Sequence, residues 1–267
     1  MPGRIMQAKA MIKEPLPALL EPPSHTKTSA IHPTSYRGPL LLWDSFESEA
    51  RNNLNSTQWS KATICFAAAG TPGPCNAAEN EQIYCGAEGS IEGRIQSNIG
   101  AVMSAVCRAQ GVNLVFGDYA ATKDAVTGKE APDLLIMTRD GLGRAIGEGK
   151  VPWVVPAHDL DATVRKGGSD LRRLLGQLAR YLCIAGLRYG FMITYEQVIF
   201  VKQEFYNNQW TLFYSRPIRA CATFDENAGA GLPGVTLREC FWYLLCLIDR
   251  DHRANNSTPI RNWVRKT

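Results

Sequence analysis

The chain has 267 residues, a formal net charge of +4, 45% hydrophobic residues and 20% charged residues. This composition is typical of a globular chain with a sizeable buried core, and it excludes a largely disordered protein. The mild excess of Lys and Arg permits an anionic partner but does not require one. No run of about 18 apolar residues occurs, so we predict no helix that crosses a membrane.

The N-terminus lacks the apolar stretch of a secretory signal, and we therefore expect an intracellular protein, cytoplasmic or nuclear. The eight cysteines form no CxxC pair and no Cys/His cluster with zinc spacing. We interpret most of them as small apolar side chains. The histidines are too scattered to indicate a catalytic triad, and the sequence leaves the oligomeric state open.

The segment 1–38 is rich in proline, which fixes φ and removes a backbone donor. We predict a flexible or loosely docked N-terminal arm there. The apolar pattern from Leu40 onward predicts a helix that runs to about Asn53. Residues 39–250 are expected to form a single domain, and residues 251–267 a basic C-terminal tail.

The middle of the chain alternates between patterns of helical period and short apolar runs. A helix over about 90–110, N-capped by Ser90, carries an apolar stripe. That stripe comprises Ile91, Ile95, Ile99, Val102 and Val106. A second helix, over 169–185 and capped by Ser169, carries a stripe of leucines. A third helix is predicted over 235–249.

Short apolar runs between these helices predict strands. The predicted strands cover 112–118, 133–138, 144–150, 190–194, 197–202 and 209–214. Asp140-Gly141 is a hairpin turn signal between the second and third of them, and the compositions of 70–80 and 127–130 are typical of loops. The order helix, three strands, helix, two strands predicts an α/β protein with a mixed sheet flanked by helices.

Two carboxylates and one lysine are expected to meet on this sheet. Glu148 and Lys150 share one face of their strand because side chains alternate with period two. If the strand that Asp133 opens pairs with it through the hairpin turn, Asp133 joins them. Carboxylates in such proximity repel each other unless a cation lies between them. Hard oxygen ligands select Mg²⁺ or Mn²⁺, and Gly149 would let a backbone carbonyl approach the ion.

Three helical residues lie at the boundary between an apolar and a polar helix face. Gln177 and Tyr181 are four residues apart, so they share one side of their helix. Glu92 lies close to the apolar stripe of its helix, which is a costly place for a carboxylate without a partner. A metal ion or Lys150 would provide that partner, and these positions indicate a helix face that borders a cleft.

These residues together resemble the PD-(D/E)xK nuclease superfamily. Pro132-Asp133, followed after fourteen residues by Glu148-x-Lys150, is similar to its central motif. Gln177-x-x-x-Tyr181 resembles the extra motif of its RecB-like branch, and Glu92 matches an acidic residue of the first helix. The resemblance covers about residues 85–205, and the segment 188–196 is similar to fungal PD-(D/E)xK-like proteins of unassigned role.

The resemblance implies a restriction-endonuclease-like core of order αβββαββ and a Mg²⁺-dependent nuclease. It implies that Asp133, Glu148 and Glu92 hold the metal and that Lys150 positions water. Gln177 and Tyr181 would orient the substrate or the lysine. Basic residues would supply contacts to the phosphates of nucleic acid, DNA or RNA. These are Arg173 and Arg180 on the same helix, together with the basic C-terminal tail.

Two other functions stay open. Some fungal proteins similar to this lineage are arginine-containing cyclodipeptide synthases that use aminoacyl-tRNA, and Glu148 or Glu92 would then hold the arginine guanidinium. The acidic DDxxE cluster associated with that family does not occur in this sequence. The other hypothesis is a non-catalytic nucleic-acid-binding module on the same scaffold.

Overall fold

The computed structural model describes residues 4–27, 33–66, 84–123, 131–154, 159–226 and 234–266. The predicted loop at 70–80 and the turn-rich segment at 127–130 lie outside these residues. The strands are β1 Arg4–Gln7, β2 Thr34–Tyr36, β3 Leu40–Leu42, β4 Thr63–Phe66, β5 Val115–Gly117, β6 Leu134–Met137, β7 Gly143–Gly149, β8 Tyr189–Ile193, β9 Gln197–Tyr206, β10 Gln209–Tyr214, β11 Ile218–Arg219 and β12 Val264–Lys266.

The helices alternate with these strands along the chain. They are α1 Ala8–Ile12, α2 Phe46–Ser56, α3 Glu88–Ile95, α4 Ala101–Ala109, α5 Leu160–Lys166, α6 Gly168–Leu174, α7 Gly176–Ala185, α8 Leu237–Arg250 and α9 Ile260–Trp263. A π-helical turn, Gln96–Gly100, connects α3 to α4. Among the described residues, no helix is long and apolar enough to cross a membrane.

The central sheet is mixed, as the element order predicts. Its strand order is β3-β10-β9-β8-β7-β6-β5, with β11 paired to β9. The pairs β7–β8 and β10–β3 are parallel, and the other pairs are antiparallel. Parallel neighbours need a crossover connection, and α5, α6 and α7 provide it between β7 and β8. The expected α/β class with helices on the sheet is confirmed.

Two clusters of buried side chains cover the two faces of the sheet. The first core cluster joins the sheet to α1, α2, α3, α4 and α8, and it contains the predicted stripe of Ile91 and its partners. The second core cluster joins the sheet to α5, α6 and α7 and to the C-terminal tail. It contains the predicted leucines of the second helix. The apolar stripes therefore identify the buried faces correctly.

The N-terminal arm is part of the folded core, so the expected loose docking is wrong for residues 4–16. Strand β1 pairs antiparallel with β4, and Ala8, Met11, Ile12 and Leu16 are buried in the first core cluster. Proline is absent between Gly3 and Glu14, which leaves that stretch free to form β1 and α1. Residues 15–27, which carry four prolines, form neither helix nor strand.

Other helix boundaries also differ from the prediction. Leu40–Leu42 is an edge strand parallel to β10, and the helix expected from Leu40 begins only at Phe46. The helix expected to start at Ser90 starts at Glu88, and Ser90 instead bonds the backbone of Ala87 from inside the first turn. The helix expected over 169–185 is two helices, α6 and α7, that meet at Leu175.

The basic tail is also built into the fold. Strand β12 pairs antiparallel with β2, and Trp263 donates its indole N–H to the Ala179 carbonyl of α7 at 2.8 Å. The Trp263 ring packs edge-on against Tyr36 of β2. The tail thus closes the second core cluster over α7.

Candidate functional site

The candidate site lies where β6 begins and β7 ends. Leu134 pairs with Gly147 across these antiparallel strands, which places Asp133 just before β6 beside Glu148. The Gly149 N–H donates to Asp133 Oδ2 at 2.8 Å. The predicted hairpin turn is present, with Gly141 at φ 89 and its N–H bonded to the Thr138 carbonyl. The sequence prediction that Asp133 and Glu148 come together is confirmed.

Glu148 and Lys150 form a buried ion pair on one face of β7. The Lys150 ammonium donates to Glu148 Oε1 at 2.6 Å. Lys150 is 4% exposed and Glu148 is 1% exposed. The Lys150 backbone N–H donates to the Ile193 carbonyl of β8 at 2.8 Å, which holds the lysine in place beyond the end of β7. Glu148 Oε2 is buried and has no hydrogen-bond partner among the described residues.

Helix α3 brings two further carboxylates to the site. Glu88 Oε1 lies 3.9 Å from the Lys150 ammonium, and Glu92 follows one turn later on the same helix face. A β-carbon added to Gly149 would lie 3.7 Å from Glu92 Cγ and 3.5 Å from Asp133 Oδ2, so α3 and β6 meet at this glycine. Glu88 and Glu148 therefore lie within 4 Å of the Lys150 ammonium, and Asp133 and Glu92 lie beside the neighbouring Gly149.

Burial and mutual repulsion shift the proton affinities of these carboxylates. Burial raises the pKa of Glu148 to about 8, and the charge of Asp133 adds to this while Lys150 opposes it. Burial also raises the pKa of Glu92, helped by the charges of Asp133 and Glu88. The pKa of Glu88 is raised by burial, which outweighs the lowering effect of Lys150. Burial is the largest cause of each shift, and Lys150 opposes all three without cancelling them.

The pKa values of both partners of the buried ion pair are raised. Burial by itself lowers the pKa of Lys150, but the charge of Glu148 and their hydrogen bond raise it overall, which keeps the lysine an ammonium. A raised pKa of Glu148 favours its neutral carboxyl form instead. The second Glu148 oxygen is buried without a donor among the described residues, which disfavours the charged form of this carboxyl group.

The chemistry of this set fits a hard divalent cation, although the side chains do not form a closed ligand cage. Carboxylate oxygens are the preferred ligands of Mg²⁺ and Mn²⁺, and the orphaned Glu148 Oε2 is a buried acceptor without a donor. Within the described residues, no three His, Cys, Asp or Glu side chains are arranged to hold a metal ion as they stand. The expectation that Asp133, Glu148 and Glu92 hold the ion stays a prediction.

Gln177 and Tyr181 contact each other and the chain that leads into β6. The Gln177 side-chain amide donates to the Tyr181 hydroxyl at 2.8 Å, and that hydroxyl lies 3.5 Å from the Ala131 carbonyl, two residues before Asp133. Tyr181 is buried, and Gln177 Oε1 has no partner among the described residues. The pair is thus held between helix α7 and the start of β6, and not on a freely open helix face.

The two arginines expected to contact nucleic acid differ in their exposure to solvent. Arg173 is exposed at the end of α6, whereas Arg180 on α7 is partly buried. Arg180 lines a cleft together with residues of the basic tail. Contact of either arginine with nucleic acid stays a prediction.

Sequence reasoning missed Glu88 as a member of the site. Glu88 lies outside the helix predicted to begin at Ser90, so that prediction does not place it on one face with Glu92. The signal was present, because two acidic residues four apart lie on one helix face.

Neither a protein-family model, nor a curated protein, nor a solved structure matches the chain. The resemblance to PD-(D/E)xK nucleases therefore depends on the motif residues and their arrangement alone.

Proposed function

We propose that the chain is a Mg²⁺- or Mn²⁺-dependent nuclease with its active site around Lys150. The observation that carries this proposal is the clustering of carboxylates near Lys150: Glu148 and Glu88 lie 2.6 and 3.9 Å from its ammonium, Asp133 and Glu92 meet at Gly149, and the second Glu148 oxygen is buried without a donor among the described residues. A site with this charge repels the phosphates of a nucleic acid unless a cation offsets it. The observed order of α3–α4, β5–β7, α5–α7, β8 and β9 supports a restriction-endonuclease-like core.

Each residue has a role that follows from its position. Asp133 is oriented by the Gly149 N–H and, with Glu148 and Glu92, would hold the ion. A bound divalent cation would supply Lewis-acid stabilisation of the charge on the phosphate. Lys150, fixed by the Ile193 carbonyl and Glu148, would hold the attacking water or stabilise the developing negative charge.

Gln177 and Tyr181 would act as positioning residues. Their mutual hydrogen bond and the contact of Tyr181 with the Ala131 carbonyl connect α7 to the segment that carries Asp133. A change at either residue would therefore shift Asp133 with respect to Lys150.

Cleavage assays on labelled DNA and RNA, single-stranded and duplex, test this proposal. The wild-type protein is expected to cleave at least one of them with Mg²⁺ or Mn²⁺ and not with EDTA. Asp133→Asn keeps an acceptor for the Gly149 N–H but loses the charge, and we expect a loss of about 100-fold or more in rate. Asp44→Asn is the matched control, because Asp44 is an exposed carboxylate outside the site.

The proposal fails if wild-type protein cleaves none of these substrates, or if Asp133→Asn cleaves as fast as Asp44→Asn. Binding of nucleic acid without cleavage would favour the non-catalytic module. A thermal melt of each variant separates loss of fold from loss of chemistry. Glu92→Gln, at the half-buried edge of the site, provides a second variant that removes no buried ion pair.

A second proposal is an arginine-containing cyclodipeptide synthase that uses aminoacyl-tRNA. The observation in its favour is that the Glu88 side chain is 36% exposed at the edge of the acidic site, with Glu92 beside it, where carboxylates are able to pair with an arginine guanidinium. Incubation with arginyl-tRNA and a second aminoacyl-tRNA would yield a cyclic Arg-Xaa dipeptide, detected by mass spectrometry. Absence of that product, together with divalent-dependent cleavage, would exclude this second function.

A further inference from the structure

A basic cleft of about 260 Å³ lies between helix α7 and the C-terminal tail. Its basic lining residues are Arg180, Arg261, Arg265 and Lys266. No acidic residue of the described chain lines it. Arg261, Arg265 and Lys266 are exposed, and no carboxylate of the described residues forms an ion pair with them. Among the described residues, no carboxylate therefore neutralises the charge of Arg261, Arg265 and Lys266 at this cleft.

The fold holds these cations close together, although they repel each other. Strand β12 is paired with β2 along its length, and Trp263 is 1% exposed and bonded to the Ala179 carbonyl. Gly176 permits β2 to approach α7, because a β-carbon there would lie 2.2 Å from the Thr34 carbonyl oxygen. The basic side chains thus project from a rigid base, and a ligand does not have to order that backbone on binding.

Helix α7 connects this cleft to the acidic site. Arg180 lines the cleft, and the next residue, Tyr181, lies 3.5 Å from the Ala131 carbonyl that precedes Asp133 by two residues. An acidic site repels the polyanion on which a nuclease acts, so binding energy must come from a different surface. The cleft supplies positive charge next to the helix that borders the site.

We propose that this cleft binds the phosphodiester backbone of a nucleic acid and positions it for the acidic site, an inference that rests on the proposed nuclease function. Arginine guanidinium groups match phosphate oxygens in geometry and charge. Ile260, 36% exposed at the same cleft, provides an apolar contact for a sugar or base. A cleft of about 260 Å³ has room for one or two phosphodiester groups.

The test is a binding experiment that needs no cleavage. Fluorescence anisotropy with labelled DNA and RNA, in EDTA and over a range of salt concentrations, compares wild type with Arg261→Ala/Arg265→Ala/Lys266→Ala. We expect the triple variant to bind at least about 10-fold more weakly. We also expect the slope of log association constant against log salt concentration to become shallower by about 2, because each lost phosphate contact contributes about 0.7 to 0.9 to its magnitude.

The matched control removes the same charge elsewhere on the surface. Its substitutions, Lys61→Ala, Arg108→Ala and Arg139→Ala, change exposed residues that do not line the cleft. The inference is overturned if the two triple variants bind equally well with equal salt slopes, or if wild type binds no nucleic acid. Salt-dependent binding through the cleft without any cleavage would support this inference while the nuclease function failed. If the cleft substitutions leave cleavage unchanged, the nuclease function is supported and the proposed role of the cleft is overturned.

Discussion

Gly147 shows how a single residue without a side chain fixes the position of the site. It precedes Glu148 on β7, and a β-carbon there would lie 2.3 Å from Phe191 Cζ and 2.9 Å from Leu134 Cβ. Phe191 packs edge-on against Phe241 of α8, so it has little room to move away. The close contact across β6, β7 and β8 sets the depth at which the Glu148–Lys150 pair lies.

Gly147→Ala is expected to destabilise the protein by about 1–3 kcal/mol, because the added methyl group overpacks the sheet. Urea unfolding followed by far-UV circular dichroism measures the change. Gly93→Ala is the matched control: beyond its own helix backbone and chain neighbours, no atom of the described residues lies within 4 Å of its added β-carbon, and alanine favours a helix over glycine by about 0.5–1 kcal/mol. Equal stabilities of the two variants would contradict the packing described at Gly147.

For single residues, the sequence predicts contacts that follow from the local period of a strand or from a hairpin turn. It does not predict contacts made by residues that are far apart in the chain. The alternation along a strand places Glu148 and Lys150 together correctly, and the hairpin signal brings Asp133 to them. The orphaned oxygens of Glu148 and Gln177 depend on what packs around them from other elements. Glu88 belongs to the site because its helix begins two residues earlier than the Ser90 signal indicates.

Helices α2 and α8 are joined by a carboxylate that accepts several hydrogen bonds. Glu49 on α2 accepts from the Tyr243 hydroxyl at 2.6 Å, from Ser45 at 2.8 Å and from the Trp43 indole at 3.0 Å. Burial by itself raises the pKa of Glu49, but these donors and the charge of Lys202 outweigh it and hold the pKa below its usual 4.5. The contact between the two helices therefore depends on the ionised carboxylate.

This lowered pKa predicts a loss of stability in acid. The unfolded chain takes up the Glu49 proton at a higher pH than the folded chain, so the stabilisation is complete above pH 4.5 and is lost as the pH falls through the lowered value. Denaturant unfolding between about pH 6 and pH 3 should show a smaller acid loss in Glu49→Gln than in wild type. The exposed Glu21→Gln is the control, and an unchanged pH dependence in Glu49→Gln would contradict the prediction.

Helices with a strong apolar period are predictable from the sequence, whereas strands that depend on a distant pairing partner are not. The Ile/Val stripe and the leucine stripe identify buried helix faces without knowledge of the sheet. Leu40–Leu42 reads equally well as helix or strand, and its pairing with β10, far along the chain, makes it a strand. The same holds for β1 and β2, whose partners β4 and β12 cannot be identified from local composition.

The two core clusters share one sheet, and we therefore expect them to unfold together. Ile95→Ala in the first cluster and Leu178→Ala in the second are each expected to cost about 2–5 kcal/mol. Both should shift one cooperative transition, observed at the same denaturant concentration by tryptophan fluorescence and by circular dichroism. Ile184→Ala on α7, 42% exposed, is the control and should have little effect. Two separate transitions would show that the clusters are independent.

The pairing of β2 with β12 has a consequence for synthesis of the protein. Residues 34–36 leave the ribosome long before residues 264–266, and Trp263 reaches its place against Tyr36 and Ala179 only then. Until that moment the nascent chain exposes the apolar surface of α7 and the unpaired edge of β2, both of which attract other chains. Residues 263–266 thus act as a closing step, and a chain that has not yet added them is prone to aggregation and to chaperone capture.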